Sequence, residues 1–251
     1  MTEEPNSIWT RPARGARGPV PEHSRAELAS AGVALADDRG LAAVTMRSLA
    51  VRVGTAPASL YRYLATRDEL VALMADHVYG EFRYPRSPRG DPVTDLLGLA
   101  RQALRIYRRH PWLLEVPAAL ALPGPNALTF IDHVLAALAP AGLPGPARLE
   151  TVGLFSGAVR MFAQAELDRQ RAGQDAAQWQ EALGRYLLQA TAAGQHPHLA
   201  AALSDQPARP DAARPDAAGP PADLFDRAMT RILAGLLPAG PRDIDHQARQ
   251  L

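Results

Sequence analysis

The sequence contains no cysteine and no lysine. Without cysteine there is no disulfide framework, thiol nucleophile, zinc–thiolate finger or thiol redox sensor. Without lysine, each of the 27 basic residues is an arginine, a side chain that stays charged and offers a planar fork of donors. An excess of either sign is also missing, because 26 acids leave a net charge of +1. No stretch approaches the ~20 apolar residues of a membrane-spanning helix, and the N-terminus lacks the apolar region of a secretory signal. The expectation is a soluble cytoplasmic protein that does not engage a membrane.

Enzyme signatures are missing as well. There is no GxSxG nucleophile elbow, Walker loop, Rossmann GxGxxG or HExxH. Of seven histidines, only His196 and His198 lie close in sequence, around Pro197, and they lack a third ligand. No catalytic residue, metal or cofactor is expected.

What is present is helical periodicity. No run alternates with period two between hairpin turns, so the expected class is all-α. The first 23 residues, rich in Pro, Gly and Arg, read as a disordered basic arm. Ser24-Arg25-Ala26-Glu27 is a capping box that opens a helix with Leu28, Ala31 and Leu35 on one face, stopped at Gly40. Thr45 caps a second helix carrying Met46, Leu49, Ala50 and Val53, and Gly54 ends it. A third, 56–64, has Pro57 in its first turn, where a missing N–H is harmless. Thr66-Arg67-Asp68-Glu69 is a further capping box, opening a fourth helix, 67–84. Residues 24–84 form one expected domain. A connector at 85–92 leads to helical patterns at 93–109, 111–121, 125–139, 147–171, 176–193 and 222–237, a bundle over 93–240. Within it, 205–221 is a low-complexity linker in which Arg-Pro-Asp-Ala-Ala occurs twice.

Two short helices joined by a tight glycine turn make a helix-turn-helix, the device that presents its second helix to the DNA major groove. The outward residues Ala58, Ser59, Tyr61, Arg62 and Tyr63 supply hydroxyls, an arginine fork and a methyl suited to phosphates and base edges. Residues 11–67 carry nine arginines against four acids, so a nearly neutral chain has a positive reading end. The other occupants of this pattern are a helical enzyme with such a corner and a module that uses the same surface to bind protein.

The run Gly40–Ala50, then Val53-Gly54-Thr55-Ala56-Pro57-Ala58-Ser59-Leu60-Tyr61-Arg62-Tyr63-Leu64, then Thr66-Arg67-Asp68-Glu69-Leu70 resembles the TetR family of bacterial transcription regulators. His110-Pro111-Trp112 and Gly124-Pro125-Asn126-Ala127-Leu128 are similar to the C-terminal domain of its tetracycline-repressor-like branch. The resemblance implies DNA contacts by Thr45 and Arg47 at the start of the second helix. It further implies that Pro57, Ala58 and Ser59 meet bases and that Tyr61, Tyr63 and Arg67 bond phosphates. Arg67 stands where the family usually has lysine, and Arg62 is the best reader of a guanine. It also implies a homodimer on a pseudo-palindromic operator, repression, and release by a small apolar effector.

A short helix reads few base pairs, so useful specificity calls for two copies with half-sites about 34–36 Å apart. The helix around 150–166 supplies a candidate interface, with Leu154, Ala158, Met161 and Ala165 on one face and Phe155, Val159 and Phe162 on another. The helix 222–237 is likewise apolar over a wide arc. For an effector pocket the candidates are Trp112, Phe130, His133, Phe155, Phe162 and Glu166, aromatic walls with a few polar groups.

Overall fold

A computed structural model describes residues 8–10, 23–85, 90–117, 122–173, 176–192, 194–204 and 224–238. The helices are α1 (Arg25–Arg39), α2 (Met46–Val53), α3 (Pro57–Leu60), α4 (Arg67–Tyr79), α5 (Pro92–Arg109), α6 (Pro125–Leu138), α7 (Gly145–Arg171), α8 (Ala176–Thr191), α9 (Pro197–Ser204) and α10 (Leu224–Leu236). Three 3₁₀ turns, Leu41–Ala43, Pro111–Glu115 and Ala139–Ala141, join them. Among the described residues there is no strand, and the fold is all-α.

The helices begin where short polar side chains satisfy orphan backbone donors. Ser24 Oγ accepts from the Glu27 N–H at 3.1 Å, and Glu27 accepts from the Ser24 N–H at 2.7 Å. Thr45 forms a second box that the sequence pattern does not announce, because Ser48 occupies the usual Glu position. At α4 the expected box is half made. Thr66 accepts from the Glu69 N–H at 3.1 Å, but Glu69 accepts from the Ala65 N–H at 2.6 Å rather than from Thr66. Asp91 caps α5 through the N–H and hydroxyl of Thr94, and the hydroxyl bond holds its carboxyl below the usual range.

The chain forms two compact units, residues 1–163 with 228–251, and residues 164–227. In the first, α1 packs against α4 and α2, α2 against α3, and α6 against both α4 and α5. Leu28, Leu49, Leu60, Leu64, Leu70 and Met74 are fully buried in its core; each such side chain contributes about 1.5–3 kcal/mol relative to exposure. Met229 and Leu233 of α10 are buried too. In the second unit α8 packs against α9.

Several expectations change. Ile8 is not part of a free arm: it is 2% exposed, within the hydrophobic core, and its carbonyl accepts from Arg25 Nη1 at 3.0 Å. Trp9 donates its indole N–H to the Leu122 carbonyl at 2.9 Å. Burial of the apolar Ile8 side chain helps offset the entropy of ordering this pair. The rest of the expected arm, 1–7 and 11–22, lies outside the described residues, as does the 205–221 linker. The third helix is a single turn, with 61–63 continuing as turns. Helix α4 ends at Tyr79, five residues early, and the 111–121 segment is a 3₁₀ turn as far as Glu115. Pro197, between His196 and His198, opens α9, a position that suits proline's fixed φ.

Candidate nucleic-acid interface and effector cavity

The reading motif rests on its buried side. Leu49, Ala50, Leu60 and Leu64 have no exposed surface, which fixes α3 against α2 and leaves the other side chains outward. Gly54 between them has φ 74° and ψ 30°, left-handed backbone that a residue with a Cβ adopts at a cost. Its neighbour Thr55 donates its N–H to the Ala50 carbonyl at 2.9 Å.

Arg47, Arg52, Pro57, Ala58, Tyr61 and Arg62 are exposed, while Ser59 and Tyr63 are half-buried. Tyr61 is 59% exposed, an aromatic side chain on the surface. Arg62 bends back only loosely, with Nε 3.5 Å from the Ser59 carbonyl. These side chains sit on α2, on α3 and in the turn that follows it. Thr45 sits beside them with its hydroxyl engaged in the α2 cap.

Arg67 has a different first task from the one expected. Its Nε donates to the Val44 carbonyl at 2.7 Å and its Nη2 to the Leu41 carbonyl at 2.8 Å. It therefore clamps the turn that leads into α2 and positions the reading motif. The signal was the choice of arginine itself, since a fork can serve two carbonyls where an ammonium serves as a point charge.

A cavity of about 520 Å³ opens beside the last turns of α4 and is lined by residues of α4, α5, α6 and α7 and by the 122–124 segment. Its apolar walls include Phe82, Ile106, Leu113, Leu122, Phe130, Val152, Phe155 and Val159. Phe130 stands 4.6 Å from Phe82 and 6.4 Å from Phe155, centroid to centroid. The polar lining includes Asp76, Tyr79, Tyr107 and Arg160. Burial pushes the phenols of Tyr79 and Tyr107 above their usual range, so both stay neutral donors. Asp76 is itself occupied: its carboxylate accepts from the Ala127 N–H at 2.9 Å at the start of α6, a charge placed where the helix dipole favours it.

Of the six expected pocket residues, the cavity is lined by Phe130 and Phe155. Trp112 is fully buried elsewhere, with its indole N–H on Asp37 at 2.8 Å. His133 stacks on Tyr84 at 3.8 Å and donates from Nδ1 to the Thr129 carbonyl. Phe162 is half-buried further along α7, and Glu166 belongs to the 164–227 unit. Period alone ranks aromatics; it does not say which of two buried faces borders a void. Tyr79, Phe82, Tyr107 and Arg160 went unnoticed because they come together only through packing of separate helices.

Two family models match this chain. "Bacterial regulatory proteins, tetR family" covers residues 28–74, and "Tetracyclin repressor-like, C-terminal domain" covers 84–238. The chain belongs to the TetR family. Its relatives there include the HTH-type transcriptional repressor DrrR1 of Streptomyces coeruleorubidus, 33% identical over 91% of this chain and 83% of that protein. Similar solved structures include ActR of Streptomyces coelicolor without ligand, at 24% identity and TM-score 0.68, covering 88% of this chain and 97% of ActR. ActR in complex with actinorhodin matches at 25% identity and TM-score 0.68, covering 89% of this chain and 100% of ActR. The TetR family is one of transcription regulators, and this member carries its helix-turn-helix on residues 46–60. No helix among the described residues is long and apolar enough to cross a membrane.

Proposed function

We propose that this TetR-family chain is a ligand-responsive repressor that binds a pseudo-palindromic operator as a homodimer and is released by a small apolar effector. The observation that carries the reading is the one-turn helix α3, pinned by fully buried Leu60 and Leu64 and projecting Ala58, Tyr61 and Arg62 to solvent. Pro57, Ala58, Ser59 and Arg62 meet base edges, Tyr61 and Tyr63 meet phosphates, and Thr45 and Arg47 meet the backbone at the start of α2. Arg67 adds a phosphate contact only through the part of its fork not given to Val44 and Leu41.

The cavity on α4–α7 is the effector site. Its aromatic and aliphatic walls, with a few polar groups, match what a small apolar ligand needs, and the similar structure of ActR holds actinorhodin. The homodimer is supported by α7. Leu154 and Met161 are 56% and 58% exposed on one stripe, with Gly157 between them, whereas Phe155 and Val159 on the opposite side are buried. The outward stripe, with α10, is the surface for a second copy, and Phe155 belongs to the core and cavity wall.

A titration with duplex DNA from upstream of the protein's own gene tests this reading. Binding should fall steeply as salt rises, because phosphate contacts release counterions. Affinity no greater for that DNA than for random duplex would overturn it.

A further inference from the structure

We propose that Asp37 is a positioning residue that carries the state of the cavity to the reading helices. It lies in the last turn of α1, where the helix dipole disfavours an anion. Its carboxylate survives there because two donors converge on one oxygen: Trp112 Nε1 at 2.8 Å and His110 Nδ1 at 2.7 Å. Both donors come from the segment that closes α5.

His110 is 3% exposed and is held on both sides. Its second nitrogen, Nε2, meets Glu81 Oε1 at 3.0 Å, just beyond α4. The ring thus bridges the carboxylates of Asp37 and Glu81, one on each nitrogen. Arg109 completes the group through Glu81 at 3.0 Å. Asp37, His110, Glu81 and Arg109 thus form one bonded cluster joining the ends of α1, α4 and α5. Each member is held by its neighbours, and losing one leaves the buried His110 ring short of a hydrogen-bond partner.

The cluster is wired to the cavity through Arg160. This guanidinium lines the cavity and donates to the carbonyls of Leu113, Leu114 and Val116. A ligand that displaces Arg160 or Leu113 therefore moves the same short segment that carries His110 and Trp112. On the other side α1 packs against α2 and α4, so a shift of Asp37 re-aims the reading motif. The coupling rests on the reading of the cavity as the effector site. It predicts that perturbing Arg160 is felt at α2–α3 only while the Asp37 carboxylate keeps its donors from the 110–112 segment.

The test is a double-mutant cycle on the full chain with R160M, D37N and the double variant. R160M removes the pins on Leu113–Val116 and so imitates a disturbed cavity without any ligand. Amide hydrogen exchange across residues 46–64 is read first, since it needs no DNA. R160M should change that exchange at least about fivefold, the lower end of typical coupling, and less than twofold in the D37N background. Equal effects in both backgrounds, or no effect of R160M at 46–64, would overturn the proposal. If D37N does not fold, W112F takes its place, removing the indole donor while keeping an aromatic side chain. Affinity for the upstream DNA, measured on the same four proteins, separates the two ideas. Changed exchange with no DNA binding overturns the repressor reading and leaves the coupling standing.

Discussion

Arg67 reaches back 23 residues along the chain, and its Nε donates to the Val44 carbonyl at 2.7 Å. That bond, with its companion to Leu41, ties the start of α4 to the turn before α2. Replacing Arg67 with alanine leaves the Val44 carbonyl without this donor, while the Leu41 carbonyl keeps the Val44 N–H at 3.1 Å; the loss is about 1.5–3 kcal/mol for a bond to a charged donor. The melting temperature should fall, and binding to operator and random DNA should weaken together. R67K should recover only part of the stability. Full recovery of stability by lysine would show that the fork is not needed.

Arg62 and Arg47 are both exposed but should behave differently. R62A should weaken operator binding by about 1–3 kcal/mol and random DNA much less, as expected when a base contact is lost. R47A should weaken both by similar factors and lower the salt slope by about one. Fluorescence anisotropy on the two DNAs across a salt series distinguishes them.

The outward stripe of α7 predicts a split between substitutions on two faces of one helix. M161E puts a charge on a 58% exposed residue and should give a folded monomer by sedimentation velocity. F155E puts one on a fully buried ring and should abolish the cooperative thermal transition. A folded dimer from M161E would place the contact between copies elsewhere.

Gly124 has no room for a side chain. A Cβ there would stand 2.5 Å from the Asp76 carboxylate and 2.7 Å from the Trp9 ring. G124A should therefore lose about 1–3 kcal/mol through overpacking, seen as a lower urea midpoint. An unchanged midpoint would mean that Trp9 or Asp76 moves aside freely.

Glu27 gives a dependence on acid. Its bond from the Ser24 N–H lowers its carboxyl below the ordinary value. A depressed value in the folded state means stabilisation that is present above the unfolded carboxylate value and lost as pH falls through the folded one. E27Q should therefore be the less stable protein near neutrality, with the difference vanishing as pH falls below the ordinary carboxylate range. Urea midpoints measured over that range check the sign.

Much of this was legible because it is local. The Ser24–Glu27 box, the Thr45 and Thr66 caps and the Gly54 turn are decided by residues within four positions of each other, and each stands where the pattern puts it. The α3 boundary was overestimated because Tyr61, Arg62 and Tyr63 are compatible with helix but have no tertiary reason to continue it. The cavity was half legible. Phe130 and Phe155 follow from helical period, but Tyr79, Tyr107 and Arg160 converge from three helices, and no local spacing encodes that. Ile8 was missed for the opposite reason, since a lone apolar pair among prolines and glycines carries no period at all.

That pair has a practical consequence for anyone trimming the gene. The helix pattern invites a shortened protein starting at Ser24, yet such a product would lack the isoleucine that seals the α1 side of the interior and the indole that steadies Leu122. It would expose greasy surface where the parent has none, and its poor behaviour would be blamed on the fold when the fault lay with the scissors.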